Sequence, residues 1–408
     1  MKGSGIFFAA PHRVMFLAGT LQGLAAILWW TADLGARYAG LFAEPLLPLP
    51  ANLPPSWLHG VLMIYAFFPF FIFGFLITAA PRWQGAEPVP GKVYVPCFLL
   101  LTTGWLGVDA SFLLPTLLPI GLGLVIAGWM IAIRVMLRVA RHPHADRRHA
   151  WVIVAALGFG VSGLATLLCY VFVGTVWLAL WALQAGIWCF LLPVFVTVAH
   201  RMLPFFSSAA IPKYVLRRPY WALWLLLAAF GSHAGLAVAG AGHWTFLVDL
   251  PAAVAALCLS VIWRFRQSLA VRMVAVLHIS FAWLAVALAL YAAQNLALLA
   301  GFGLFGLAPL HALAIGFFSS MLLAMVTRVT LGHSGRGIVA DTTLWLVFWG
   351  MQTAAILRVA SELLPDCCAV GFLNLTWLAA LAWLLAFGGW SLRFAPAYWR
   401  PRVDGRPG

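Results

Sequence analysis

The sequence predicts an all-α, polytopic integral membrane protein of about twelve helices, with both termini in the cytoplasm. Three observations carry that prediction. First, 64% of the 408 residues are hydrophobic and only 8% are charged. A soluble core has no room for so much apolar surface, and a β-barrel would show short alternating segments instead. Second, the apolar residues fall into runs near the roughly 20 residues that cross a bilayer as a helix. Such spans fall at 14–32, 57–79, 93–109, 112–136, 151–173, 175–199, 220–240, 244–263, 273–291, 307–327, 342–363 and 369–392. Third, the basic residues are one-sided. With the N-terminus inside, all of the 24 Lys and Arg except Arg37 and Arg358 gather in loops and helix ends on the cytoplasmic side. The net charge of +14 is thus explained by the positive-inside rule and not by nucleic acid. The whole chain, 1–408, reads as a single transmembrane domain, with short cytoplasmic tails at 1–13 and 393–408. The lipid bilayer is its first partner.

Span 1 ends near Trp29-Trp30, an interfacial pair, and is longer than the apolar region of a signal peptide, so cleavage is not expected. Residues 33–56 form a proline-rich external loop, read as a solvated connector in preference to a lid. Span 2 opens at Trp57-Leu58-His59. Pro69 is expected to bend it, and Pro81 to end it. Spans 3 and 4 form a hairpin turning at 109–111 and carry no histidine. The following loop holds His142, His144 and His149 among arginines. Its HxH spacing resembles a metal pair, but positive surroundings repel a cation, and a solvated topogenic loop is the better reading. Spans 5 and 6 form another hairpin, and span 6 ends at His200-Arg201 with Ser207-Ser208 beyond. Span 7 carries His233, and His243 sits in the turn before span 8. Asp249 is the one carboxylate clearly within a span. Span 9 carries His278. Span 10 has His311 at its start, Ser319-Ser320 at its middle, and Arg328, His333 and Arg336 at its exit. The six cysteines form no CxxC or CxxCH motif, which argues against an iron–sulfur cluster, a zinc ribbon or covalent c-type haem. The adjacent Cys367 and Cys368 read as packing residues. Nucleotide-binding, zincin and nucleophile-elbow motifs are absent.

Depth sorts the membrane histidines into an outer layer of His59, His311 and His233 and an inner layer of His200, His278 and His333. Spans 2 and 10 run in the same direction, and each opens with its histidine. Two imidazoles at one depth suit axial ligation of haem within a bundle, and Met63, one turn below His59, offers a His–Met alternative. Taken singly, each histidine is better explained as a buried hydrogen-bonding group; it is the matched depths that favour ligation. Asp249 either orients a ligand histidine or pairs with His243 or Arg37. Arg201, Arg328 and Arg336 are placed to meet haem propionates, although topology alone already accounts for them. Met321 and Met325, four apart, read as packing and not as a copper pair.

The run LHALAIGFFSSMLLAMVTRVTLGHSGR, Leu310 to Arg336, resembles the signature of the NnrS family, approximately LHALTxGxxxxMxLAVMxRxxLGHTGR. GFLITAAPRWQG (Gly74 to Gly85), HRMLPFFSSAAIP (His200 to Pro212) and VLHISFAW (Val276 to Trp283) are similar to further family segments. The resemblance implies a bacterial inner-membrane protein containing haem and copper that serves the response to nitric oxide and nitrosative stress. It implies a small diatomic or nitrosyl ligand and leaves the reaction and any electron donor open. The family's helix 2 usually opens with an HxHE-like motif. Here His59 fills the first position, while Val61 and Leu62 stand at the second histidine and the acid. A copper set built on those two groups is incomplete, whereas a b-type haem held by the remaining histidines is expected. The cofactor-binding candidates are thus His59, His233, His278, His311, Arg201, Arg328 and Arg336, with His200 and His333 as further metal candidates. Two other classes compete: a cofactor-free transporter, and a quinone-linked redox enzyme using both histidine layers.

Overall fold

The computed structural model describes residues 3–39, 53–144, 146–303, 305–364 and 374–405. Twelve helices are long and apolar enough to cross a membrane: α1 (Pro11–Tyr38), α2 (Pro55–Trp83), α3 (Gly91–Ala110), α4 (Leu117–Arg141), α5 (Arg148–Val173), α6 (Val176–Ala210), α7 (Tyr220–Val238), α8 (Gly242–Ile262), α9 (Arg272–Leu299), α10 (Ala308–His333), α11 (Thr342–Leu363) and α12 (Leu375–Tyr398). The protein is an all-helical, multi-pass membrane protein. The chain divides into two compact units, one of residues 1–194 with 394–408, the other of residues 195–393. Most of the loop expected to be external (40–52, with Glu44, Pro45, Pro48 and Pro50) and the segment 365–373, with Asp366, Cys367 and Cys368, lie outside the described residues.

In the first unit, α1 and α2 exchange glycines for aromatic rings. A Cβ on Gly19 would stand 2.8 Å from the Phe71 ring, and one on Gly74 would stand 2.8 Å from Phe16. Tyr65 of α2 fills the space beside Gly163 of α5 and Gly186 of α6 and donates its hydroxyl to the Ala182 carbonyl at 2.6 Å. Arg13 does not lie in a tail. It is buried in the first turn of α1, where its guanidinium donates to the carbonyls of Tyr398 and Arg400 at 3.4 and 3.0 Å.

Three helices widen into π-helical turns, at Leu62–Phe67 in α2, Ala185–Leu191 in α6 and Ala312–Ser319 in α10. The first two end two residues before a proline, Pro69 and Pro193. A proline inside a helix removes one N–H, and its ring crowds the carbonyl four residues back. Those carbonyls belong to Tyr65 and Cys189, inside the widened turns. The proline in α2 thus acts by loosening the turn ahead of it, and the helix continues through Pro81 to Trp83. In α10 the same geometry has another cause. Ser319 and Ser320 donate to the carbonyls of Ala314 and Ile315, five residues back, at 2.9 and 3.2 Å.

Candidate functional site

The second unit gathers its polar side chains in two places. The first is at the end of α6. Ser207 there lies 2.8 Å from Nε2 of His278 on α9, with both side chains buried. Next to Ser207, the ring of Phe206 lies under the Arg328 guanidinium of α10, 4.0 Å from its centroid. A guanidinium over a ring is attracted by the ring's quadrupole, and its in-plane N–H donors still point outward toward an anion. Tyr214, on the link from α6 to α7, lies beneath Arg264 at 5.9 Å. Burial pushes the Tyr214 phenol above its ordinary pKa, against the opposing pull of Ser207, Arg264 and Arg218. Arg264 adopts a left-handed conformation, φ 61°, where the chain leaves α8. It then enters a one-turn helix, Phe265–Ser268, whose Phe265 ring stands edge-on to His278 at 6.5 Å.

The second place lies where α7, α8 and α9 meet. Nδ1 of His233 is 2.8 Å from one Asp249 carboxylate oxygen and 3.1 Å from the other. The Tyr291 ring of α9 stands edge-on to the imidazole at 5.2 Å. The partner of Asp249 is therefore His233, and neither His243 nor Arg37 takes that part. Arg37 pairs instead with Asp33 at 2.6 Å, four residues back along α1. Asp249 is also not the one carboxylate inside a helix. Asp33 lies in α1, and Asp109 ends α3, where Gln22 donates to it at 3.2 Å. Each acid found a local donor, which allows a carboxylate into an apolar helix.

The remaining candidates are each placed by their own element. His59 of α2 stacks on Trp30 of α1 at 4.5 Å with the rings nearly parallel, and Met63, half-buried, lies in the widened turn below it. Nδ1 of His311 reaches the Leu307 carbonyl at 3.0 Å. His200 is fully buried, 3.3 Å from the Pro219 carbonyl and beside the rings of Tyr220 and Trp263. The Arg201 carbonyl accepts from Arg218 at 3.1 Å. His333 is the last residue of α10 and does not lie beyond it; Arg336 follows on the turn, half-buried. In the loop between α4 and α5, Arg148 pairs with Asp146 at 3.0 Å, and Nδ1 of the exposed His144 lies 3.1 Å from the Asp146 backbone.

A hydrogen-bond chain also runs through the middle of this unit. Trp283 donates to Gln352 at 2.8 Å, and Gln352 donates to Ser320 at 2.7 Å. Trp383 and Trp390 of α12 donate to Ser319 and Thr327 at 3.2 and 2.8 Å. The Trp283 ring lies flat on Gly316, where an added Cβ would come within 2.4 Å.

Three segments of the sequence thus converge in one unit: His200 to Pro212 through Phe206 and Ser207, Val276 to Trp283 through His278 and Trp283, and Leu310 to Arg336 through Gly316 and Arg328. The family model described as NnrS protein matches residues 6–402, nearly the whole chain. The chain belongs to the NnrS family. Comparison with curated protein sequences returns no match.

NnrS membership raises haem and copper, and the donor chemistry separates them. An axial imidazole is generally held through Nδ1 by a carboxylate or carbonyl, which leaves the lone pair on Nε2. His233 on Asp249 and His311 on the Leu307 carbonyl both fit that description. His278 is engaged at Nε2 by Ser207 and fits it less well. For copper, no three His, Cys, Asp or Glu side chains come together among the described residues. In α2, Val61 and Leu62 are apolar and buried. A three-ligand copper set is not formed by these residues. Sequence reasoning noted the Ser207-Ser208 pair without giving it a role, and it passed over Tyr214 and Gln352. A serine at the end of one apolar run and a glutamine inside another were the available signal; Tyr214, on a basic link, gave none.

Proposed function

We propose that the chain is a haem-binding protein of the bacterial inner membrane that binds or processes nitric oxide or a nitrosyl species in the nitrosative-stress response. Membership of the NnrS family over residues 6–402 supports the biological setting. The observation that carries the cofactor is the carboxylate-held imidazole of His233, buried inside the helical bundle. His233 and His311 are the residues we assign to haem iron, one ligand each. Arg201, Arg328 and Arg336 lie at the opposite, inner layer with His278 and are the cationic partners for propionates of a haem bound at that layer, and His59 is a further ligand candidate. Bound haem would supply an iron that takes a diatomic ligand. The chain's own part at His233 is to hold the imidazole through Asp249 and to keep water away by packing Tyr291 against it. Reduced-minus-oxidised spectra of protein purified from haem-replete cells test this reading. The expected result is a Soret band that moves when nitric oxide is added and weakens severalfold in His233→Ala and His311→Ala. A protein without a Soret band would sink the reading.

A further inference from the structure

We propose that a groove between α8 and α9 binds one anionic phospholipid. The groove has a volume of 620 Å³, within the range of roughly 300–1,000 Å³ in which ligand sites fall. Its walls are apolar. Leu257 and Val261 of α8 face Ala282, Ala285 and Val286 of α9, and the two alanines form the trough. Leu257 and Val261 are 58% and 70% exposed in the protein, so within a bilayer hydrocarbon must cover them. Ser260 also lines the groove, but its hydroxyl is spent on the Ala256 carbonyl at 3.1 Å, and the other polar donors cluster at one end, where α8 stops and α9 has yet to begin. There Arg264, Arg266 and Gln267 line the mouth, and no carboxylate lines any part of the groove.

That arrangement matches a lipid in its two parts, an acyl chain along the walls and a phosphate at the guanidiniums. Basic pockets between membrane helices recognise anionic head groups in this way, and arginine presents a planar fork suited to phosphate oxygens. Arg264 is held for the purpose on two counts: its left-handed backbone turns the chain at the mouth, and its guanidinium rests over Tyr214. A soluble phosphate would meet the same two arginines without using the walls, so the walls select the lipid. This inference is independent of the haem assignment, because its measurement reads lipid retention and not colour.

The experiment uses the full-length protein in neutral detergent, with phosphatidylglycerol or phosphatidylcholine added as mixed micelles. Native mass spectrometry counts the lipids retained, and thermal unfolding is followed in parallel. The wild type is expected to retain one phosphatidylglycerol and to unfold several degrees higher with it than with phosphatidylcholine. Glycerol phosphate alone is expected to give no rise. The double change Arg264→Gln/Arg266→Gln, and the wall change Ala285→Phe, should each weaken retention at least tenfold. Arg134→Gln/Arg138→Gln, in the other unit, should retain the lipid as the wild type does. Equal response to the two lipids, no retention of either, an equal rise with glycerol phosphate, or an equal loss in the Arg134/Arg138 variant would each overturn the proposal. The wild-type comparison of the two lipids stands even where a variant fails to fold.

Discussion

Asp341 shows how a single charged residue at the water boundary can define a helix in this chain. It caps α11 by accepting from the Leu344 amide at 3.0 Å, and it takes both nitrogens of the Arg393 guanidinium, one of them at 2.8 Å. The hydrogen bond from Arg393 is the main reason its carboxyl is held down at about 2, with the cap amide second. A lowered carboxyl contributes stability that is complete above its unfolded pKa of 3.8 and is lost as pH falls through about 2. Unfolding in detergent should therefore lose stability between pH 4 and pH 2, and Asp341→Asn should flatten that portion of the curve. The pair is half exposed, so the effect should amount to under about 1 kcal/mol and shrink in salt. A thermal melt series with the same slope in wild type and variant would show that the pair is not the source. Asp341 was not singled out in the sequence, although an aspartate just ahead of an apolar run is a signal for such a cap. Its arginine partner, 52 residues on, was not legible, because a surface charge gives no sign of which distant helix end will face it.

Among the helices, α10 is the element whose residue pattern explains the most. Its central serines were visible from the start, but their purpose follows only from the widened turn. Each hydroxyl donates to a carbonyl five residues back in the widened turn, and each also receives a donor from a neighbouring helix, Gln352 onto Ser320 and Trp383 onto Ser319. Ser319→Ala/Ser320→Ala should cost about 1 kcal/mol per lost hydrogen bond, or more where the indole and amide are left buried without a partner. Hydrogen exchange should locate the damage: amides across 312–320 are expected to exchange faster, with α7 unchanged. Equal protection in both proteins would mean that the serines are passengers of a geometry set elsewhere. Helix ends were the least readable feature. The expected fourth span, 112–136, is displaced to Leu117–Arg141 because the apolar residues Leu113 and Leu114 lie in an exposed turn, 86% and 52% accessible. Hydropathy reports what tolerates lipid, whereas the helix boundary is decided by Pro115 and by backbone hydrogen bonding. In the same way α6, α9 and α10 run on to Ala210, Leu299 and His333 through polar residues that a hydropathy window discards.

At the scale of the molecule, the twelve helices were fully legible, since length and apolarity are local properties that tertiary contacts do not alter. The site was legible only in part. His233, His278 and Arg328 were chosen for their chemistry and depth, and Asp249 was named as an orienter without its histidine being identified, but Ser207 and Phe206 come from another helix and could not be assigned to their partners by depth alone. Sidedness belongs to this scale as well. An even number of helices together with the positive-inside rule predicts both termini on the cytoplasmic side. A fluorescent protein fused after Gly408 should therefore fold and emit, whereas alkaline phosphatase in the turn near Gly301 should be active. Activity of the phosphatase at the C-terminus would reverse the assignment.

The exchange of glycines between α1 and α2 has a consequence for the first of the histidines. Phe16 meets Gly74 and Phe71 meets Gly19, so the two helices are keyed at both ends of one short antiparallel stretch. A slip of one helical turn, about 5.4 Å, would bring Phe16 against Phe70 or Thr78, where no hollow exists to receive it. The joint therefore works as a stop. Higher along the same two helices, Trp30 and His59 come level because the stop lies beneath them, and the height of that imidazole is set by two missing methyl groups in other turns of the helix pair.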